Sequence, residues 1–289
     1  METYKIVEFS LEGLDGIKLF CKGWESPDFD PEKVIVFHHG LGEHCDRYQN
    51  LINFFRDQNY SFFSYDARGH GRSTGRRGDS QSIMDFVFDL ENYIYFIKRK
   101  YNISKPFLLG HSFGGLIATL FTIQHSNQEE LQGLILSSPA FRIHTNIIQA
   151  LKVAAGEVLY FIKPDLVLRT SLKPEDLSHN RKVVEEYRKD AFVHSFLSVR
   201  LGVEMIHTFS KIKHRLKKIK IPVWIAHSTE DKITNYLGSK ELFNLISSEK
   251  KTIKLYKGFR HELFNEVSTV PLEDLKHWIQ ELEKNKSLI

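Results

Sequence analysis

Short runs rich in apolar residues recur along the chain and alternate with longer stretches whose apolar positions fall three and four apart. The runs at 34–37, 60–65, 106–109, 134–136, 223–227 and 252–256 predict strands, most of them buried on both faces as in a parallel sheet. Residues 4–11 and 17–24 instead alternate polar and apolar around Leu14-Asp15-Gly16, which predicts a β-hairpin. Helical spacing over 47–58 puts Tyr48, Leu51, Ile52 and Phe55 on one face, and residues 83–100 predict a long amphipathic helix. Further helices are expected at 116–123, 237–246 and 271–284. Strands alternating with helices predict an α/β fold: a doubly wound, mostly parallel sheet flanked by helices. The rhythm stops between residues 140 and 211. There, helical patterns at 147–162, 181–187 and 192–209 are separated by Pro164 and Pro174, with no clear strand. The expected organisation is a core built from residues 1–139 and 212–289, with 140–211 inserted as a helical cap, or lid.

Composition narrows this picture only a little. The chain has 289 residues, 42% of them hydrophobic, enough for one large domain with an insertion. Forty basic residues against 36 acidic ones give a net charge of +4, too small a bias to argue for a nucleic-acid partner. The most basic stretch, 211–220, is read as a solvated connector into the next strand in preference to a lipid- or phosphate-binding segment. Two cysteines, Cys21 and Cys45, offer no disulfide framework and suit a reducing compartment. With no apolar run of spanning length and no leader-like start, the expected placement is cytoplasmic. Nothing in the pattern specifies an oligomeric state.

Candidate chemistry gathers where predicted strands end. The run closing at Leu109 leads into Gly110-His111-Ser112-Phe113-Gly114 and then into a helix, the strand–turn–helix context of a G-x-S-x-G nucleophile elbow. A serine hydroxyl needs a neutral imidazole to take its proton, and the imidazole needs an acid to orient it. The chain holds 14 histidines. The order serine, acid, histidine points to Asp231, after the strand at 223–227, and to His261, after the strand at 252–256. Glu230 and, less readily, Glu262 are rivals for the acid, while His277 falls in a helical pattern and is expected to be exposed. An oxyanion hole needs two backbone N–H groups. The expected donors are Phe113, next to the serine, and Leu41, in the glycine-rich loop His39-Gly40-Leu41-Gly42. His38, His39, His44 and Cys45 fit no usual metal spacing, so no metal is expected. Asp66, Arg68 and His70 are read as a buried loop pinned by an Arg–Asp network.

These blocks carry a resemblance. His38 to Tyr48 (H-H-G-L-G-E-H-C-D-R-Y) resembles the H-G-x-G-E-H-x-x-R-Y signature of the monoacylglycerol lipase and lysophospholipase group of serine α/β-hydrolases. Asp66 to Ser73 is similar to its D-x-R-G-H-G-x-S loop, and Gly110 to Gly115 to its G-H-S-M-G-G elbow. Ser137-Ser138-Pro139-Ala140, Glu230-Asp231-Lys232-Ile233 and His261-Glu262-Leu263-Phe264-Asn265-Glu266 match further blocks. Leu177-Ser178, Val183, Tyr187, Asp190 and Val193-His194 resemble the cap. The resemblance runs through nearly the whole chain in order. It implies the α/β-hydrolase fold, with Ser112 as nucleophile, Asp231 and His261 as its partners, and Leu41 and Phe113 as oxyanion donors. It also implies that Glu43 and Arg47 brace the site, beside His39 and Gly40. Three departures bear on substrate shape more than on reaction: Phe113 where methionine is usual, which implies that its ring helps shape the acyl site; Ala191-Phe192 for Pro-Leu; and no acidic residue in Ser178-His179-Asn180.

The implied activity is hydrolysis of a single-chain lipid ester, most simply monoacylglycerol to glycerol and fatty acid through an acyl-enzyme, with no cofactor and no metal. Alternatives on the same fold are a lysophospholipase, a broad carboxylesterase or a transacylase. An alternative of another class is a non-catalytic lipid-binding protein. The insertion contributes Ile143, Ile147, Ile148, Leu151, Val158, Leu159, Phe161, Ile162, Phe192, Phe196, Leu197, Leu201 and Met205. Most should pack on the core and some should line an acyl tunnel. Its apolar helices also suggest transient contact with a membrane surface.

Overall fold

A computed structural model describes residues 3–124, 126–144 and 147–286, apart from the side chains at 126–127, 147–152 and 285–286. Eight strands form one sheet: β1 (Lys5–Glu12), β2 (Lys18–Glu25), β3 (Val34–His38), β4 (Ser61–Tyr65), β5 (Phe107–His111), β6 (Gly133–Ser137), β9 (Val223–Ser228) and β10 (Lys251–Tyr256). Their order is β1-β2-β4-β3-β5-β6-β9-β10. The expected hairpin, β1 with β2, is antiparallel, as is β2 with β4; every other pair in this sheet is parallel.

Alternation along the buried strands sorts side chains between two cores. Val34, Val36, Leu108, Leu134, Leu136, Val223 and Ile225 face α2 (Ile83–Tyr101) and α3 (Phe113–Gln124). Their neighbours Ile35, Phe37, Leu109, Ile135, Trp224 and Ala226 face α1 (Gln49–Phe54) and α8 (Val270–Lys286). A strand covered on both faces has no use for a polar position, which is why these runs read as continuous apolar stretches. From β3 the chain moves outward to β4, then crosses back to β5 on the other side of β3. Such a reversal of strand order opens a crevice at the carboxyl ends of the two strands, where ligands bind in open α/β sheets.

Two expectations change. The helix expected over 47–58 is broken into a 3-10 turn at Cys45–Tyr48, the short α1, and a second turn at Arg56–Gln58 that ends at Asn59 with φ 62°. Its apolar face is as expected: Tyr48, Leu51, Ile52 and Phe55 are all buried. Segment 140–211 does contain strands, β7 (Val167–Arg169) and β8 (Phe196–Ser198), paired antiparallel. At three residues each they are too short for alternation to show. They flank α5 (Arg181–Lys189) and follow α4 (Ile147–Ile162). The last helix of the segment, α6 (Val199–Ile212), begins seven residues later than its apolar pattern, because the Ser198 hydroxyl caps it by accepting the Leu201 N–H. The final core helix between β9 and β10 is α7 (Tyr236–Leu245).

Candidate active site

The crevice between β3 and β5 holds the turn at Ser112. Its φ is +53°, a left-handed conformation that a residue with a side chain adopts only under constraint. The constraint is visible on every side. The Ser112 N–H donates to the Ser137 carbonyl at 2.9 Å, and the Ser112 carbonyl accepts from Gly115 and Ala140, both at 3.0 Å. A Cβ at Gly114 would lie 2.2 Å from the His38 carbonyl oxygen, so only glycine lets α3 approach β3 this closely. Ser112 itself is half-buried between the buried His111 and Phe113.

His261 comes to this turn from the loop after β10. Its ring stands beside His111, 4.8 Å between centroids, and its carbonyl accepts the Ser138 hydroxyl at 2.7 Å. His261 Nδ1 meets Asp231 Oδ2 at 2.7 Å, with both side chains out of solvent. Asp231 is in turn fixed from four directions. Its Oδ1 accepts the N–H groups of Ile233 at 2.7 Å and Thr234 at 3.1 Å; its Oδ2 also faces the Thr234 hydroxyl at 2.9 Å and His227 Nε2 at 3.2 Å. Burial penalises the Asp231 carboxylate, but the two imidazoles outweigh it and hold its pKa well below the ordinary value of 3.8. Burial likewise disfavours the His261 cation, yet the Asp231 charge prevails and raises its pKa above 6.5. A carboxylate that orients an imidazole and stabilises its cation is what general-base activation of a serine requires.

The loop after β3 supplies the other side. His39 Nδ1 donates to the Gly40 carbonyl at 2.7 Å while its Nε2 accepts the Ala67 N–H at 2.9 Å, so the ring is neutral with the proton on Nδ1. Gly40 lies against the serine: a Cβ there would be 3.3 Å from Ser112 Cβ and 2.8 Å from Glu43 Oε1. Glu43 Oε1 accepts the Gly40 N–H at 2.6 Å and the Tyr48 hydroxyl at 2.8 Å, and Oε2 accepts Arg47 Nε at 3.1 Å. Burial opposes the Glu43 charge, but the His111 ring, the Arg47 guanidinium and the Gly40 N–H hold its pKa down at about 2. Among the described residues, neither the Leu41 nor the Phe113 N–H donates to another backbone carbonyl, leaving both free for an oxyanion. The Phe113 ring corrects an expectation. It turns into the core against Phe86, 5.0 Å between centroids, and does not line the cavity described below.

The rival acids separate clearly. Glu230 is exposed, with its N–H on the Ser228 hydroxyl. Glu262 takes both oxygens to Arg47 Nη2, at 2.7 and 2.8 Å, instead of turning to His261. Arg47 therefore joins the loop after β3, through Glu43, to the loop after β10, through Glu262. His227, fully buried on Asp231, and the Arg47–Glu262 pair are features that sequence reasoning misses; only His227, four residues before Asp231, carries a signal in the sequence. His277 is exposed, as expected. Arg68 is pinned as expected, though by Asp89, at 2.6 and 2.8 Å, while Asp66 accepts the Cys45 and Arg72 N–H groups. His38, the last residue of β3, has its Nδ1 on the His39 carbonyl at 2.8 Å, and His44, in the loop that follows, has its Nε2 on Asp190 at 2.7 Å. Cys21 and Cys45 are buried free thiols.

Segment 140–211 lies over these loops. The His261 and Glu262 N–H groups donate to the carbonyls of Asp176 (3.4 Å) and Leu177 (2.8 Å), and the Tyr187 ring covers the Arg47 guanidinium at 4.7 Å. The His194 N–H donates to the Gly42 carbonyl at 2.8 Å and its Nε2 to the Gly69 carbonyl at 3.0 Å. Gly42, at φ +78°, passes so close beneath that a Cβ would meet the His194 carbonyl oxygen at 2.3 Å. Behind Ala140, whose N–H holds the Ser112 carbonyl, a cavity of about 720 Å³ runs under α4 and α6. Phe141, Val153, Leu197, Val203, Met205 and Phe209 give it apolar walls. Its lining extends from Val199 to Lys213, the length of α6, or about 20 Å at 1.5 Å per residue. Of the apolar residues expected in a tunnel, Ile143, Leu197 and Met205 line it, while Val158, Phe161 and Ile162 point outward. The side chains of Ile147, Ile148 and Leu151 lie outside the described residues.

A family model described as serine aminopeptidase, S33, matches residues 30–268. The monoglyceride lipase of Rattus norvegicus is 30% identical over 273 residues, which cover 93% of this chain and 89% of that protein. Among solved structures, the monoacylglycerol lipase of Paleococcus ferrophilus is 30% identical, with a TM-score of 0.78 over 91% of this chain and 99% of its own. A soluble variant of monoglyceride lipase from Saccharomyces cerevisiae, in complex with a substrate analogue, superposes with a TM-score of 0.83 over 98% of this chain and 96% of its own, at 23% identity.

Proposed function

Because the chain belongs to the serine aminopeptidase, S33, family of α/β-hydrolases, we propose that it is a serine ester hydrolase whose substrate is a monoacylglycerol. The observation that carries this reading is the buried Asp231–His261 pair beside the strained Ser112 turn, with a mostly apolar cavity reaching as far as Ala140, whose N–H holds the Ser112 carbonyl. Peptide and ester cleavage share one chemistry; an apolar cavity as long as α6 favours a lipid acyl chain over a peptide.

In this reading the Ser112 hydroxyl attacks the ester carbonyl carbon as His261 Nε2 takes its proton. The carbonyl oxygen becomes an oxyanion held by the Leu41 and Phe113 N–H groups. The intermediate collapses, the C–O bond to glycerol breaks, and His261 gives the leaving alkoxide its proton. Water then attacks the acyl-enzyme, giving a proton to His261, and fatty acid leaves with Ser112 restored to its hydroxyl. Asp231 keeps the ring aligned and its cation stable throughout. Glu43, Arg47 and His39 hold the donor loop, and no metal or cofactor takes part.

Segment 140–211 serves as the cap. Each methylene buried in its cavity contributes roughly 0.8 kcal/mol, so a long acyl chain binds without a charged contact. Val158 (61% exposed), Phe161 (86%) and Ile162 (72%) form an outward apolar patch at the end of α4, suited to transient insertion into a membrane surface where the substrate resides. No described helix is long and apolar enough to cross a membrane.

The test is a panel of purified substrates compared by kcat/KM: 2-oleoylglycerol, oleoyl-lysophosphatidylcholine and a p-nitrophenyl short-chain ester. The monoacylglycerol should lead. A higher value for the lysophospholipid would transfer the function to phospholipid cleavage, and no turnover of any ester would leave only a binding protein. Added glycerol distinguishes hydrolysis from transacylation by the ratio of free acid to new ester.

A further inference from the structure

The run 211–220 does not behave as a loose connector. Six of its ten residues are lysine or arginine, none is acidic, and it has a regular inner face. Ile212, Leu216 and Ile219 are buried, the last two completely. Gln128 clamps the backbone from outside, its Nε2 donating to the Lys218 carbonyl and its Oε1 accepting the Lys220 N–H, both at 2.9 Å. Lys211, His214, Lys217, Lys218 and Lys220 are thereby presented to solvent on a fixed turn. Lys211, Lys217, Lys218 and Lys220 form no ion pair among the described residues, unlike many other basic side chains of this protein. A stabilising role would call for acidic partners; an unpaired, rigid cationic edge calls for an external anion.

Its position says which anion. Lys213 belongs to the same run and lines the cavity, together with Ser210, Arg142 and Asn235. Lys213 and Arg142 converge on Glu241, at 2.5 and 3.5 Å, so this corner of the rim keeps a net positive charge. Beside it stand two outward apolar residues, Ile143 (39% exposed) and Leu237 (40%), brought together where the Asn235 N–H meets the Arg142 carbonyl at 2.9 Å. The edge begins at this rim with Lys213 and runs on past Arg215, held on the Ile123 carbonyl, to Lys218 and Lys220 at the amino ends of β6 and β9, so a surface lying along it meets apolar side chains at one end and cations along the rest, the two chemistries of an anionic bilayer.

We propose that residues 211–220 form a docking edge for anionic phospholipid surfaces, which lies along the bilayer and brings the corner of the cavity rim at Lys213 to it. The proposal rests on the reading of the cavity as the acyl site, and it is separate from the apolar patch on α4. Basic residues near an anionic surface act additively, each worth about fivefold in partitioning, and their effect decays within about 8 Å at physiological ionic strength.

The experiment compares the full chain with the variant Lys211→Glu/Lys217→Glu/Lys218→Glu, by flotation with vesicles of phosphatidylcholine alone or mixed with phosphatidylglycerol. Turnover of a water-soluble p-nitrophenyl ester is measured in parallel. The wild type should bind phosphatidylglycerol vesicles at least tenfold more tightly than phosphatidylcholine vesicles, and lose that preference in high salt. The variant should lose the preference while keeping its p-nitrophenyl ester turnover, which also shows that it folds. Equal binding to both vesicles by the wild type, or an unchanged preference in the variant, would overturn the proposal. So would a variant defect seen on immobilised heparin but not on vesicles, since the edge would then serve a soluble polyanion. Wild-type protein that binds anionic vesicles yet hydrolyses no ester would instead sink the catalytic reading.

Discussion

From Pro174 to Ser198 segment 140–211 meets the rest of the chain through hydrogen bonds and charge: Asp176 and Leu177 on the His261 loop, Tyr187 on Arg47, Asp190 on His44, His194 on Gly42. From Ile147 to Ile162 it meets α6 across an apolar cavity and sends Val158, Phe161 and Ile162 outward. One half is stitched to the loops that hold His261 and Gly42; the other half encloses volume. Hydrogen bonds are directional and fix loops to tenths of an ångström, whereas apolar contact tolerates rearrangement at similar energy. The stitched half should therefore govern the chemical step for every substrate, and the enclosing half should govern which acyl chain is accepted.

The largest loss of stability is expected at Arg47, the buried link between the loops after β3 and β10. Arg47→Ala leaves Glu43 and Glu262 as unpaired buried charges, which should cost about 3–5 kcal/mol of stability in urea titration. Turnover of short and long esters should fall together. A loss confined to long-chain substrates would contradict the division between the halves. Next comes Gly42→Ala. Its Cβ has no room beneath His194 and the backbone is left-handed, so kcat should drop on the order of 10- to 100-fold for both substrate classes, with KM little changed.

In the enclosing half, Met205→Trp narrows the cavity from within α6. We expect roughly tenfold lower kcat/KM for oleoyl esters and no change for acetyl esters, and chain-length dependence in the wild type of about fourfold per methylene until the cavity fills. The smallest effect belongs to Phe161→Ser. At 86% exposure the side chain contributes little to stability, so melting temperature and short-ester turnover should hold while KM for vesicle-borne monoacylglycerol rises a few-fold.

The pH profile tests the stitched half from another side. A general base works only when neutral, so kcat/KM should fall as pH drops through the folded pKa of His261, which Asp231 raises above 6.5. In Asp231→Asn that limb should move to lower pH, alongside a loss in kcat of about 10⁴-fold.

Much of the core was legible because its signals are local. Strands β3, β5, β6 and β9 are covered on both faces, so their runs are apolar throughout, and Ser112, Asp231 and His261 follow strand ends where loops meet. What was not legible depends on contacts between distant parts of the chain. Arg47 pairs with Glu262 across 215 positions and His44 with Asp190 across 146, and no spacing rule reports such meetings. The three-residue strands β7 and β8 are too short to show a period. The family's methionine position suggests a pocket role for the Phe113 ring, whereas in the fold it packs against Phe86. The burial of Ile212, Leu216 and Ile219 within run 211–220 is masked in the sequence by the charge around them.

The central claim, that Ser112 is activated by His261 and Asp231 to form an acyl-enzyme, is tested most directly by intact-protein and peptide mass spectrometry after treatment with a long-chain fluorophosphonate. One adduct, on Ser112, should form in the wild type, slow by orders of magnitude in His261→Ala, and vanish in Ser112→Ala. An unmodified wild-type protein, or an adduct on any other residue that survives Ser112→Ala, would contradict the account.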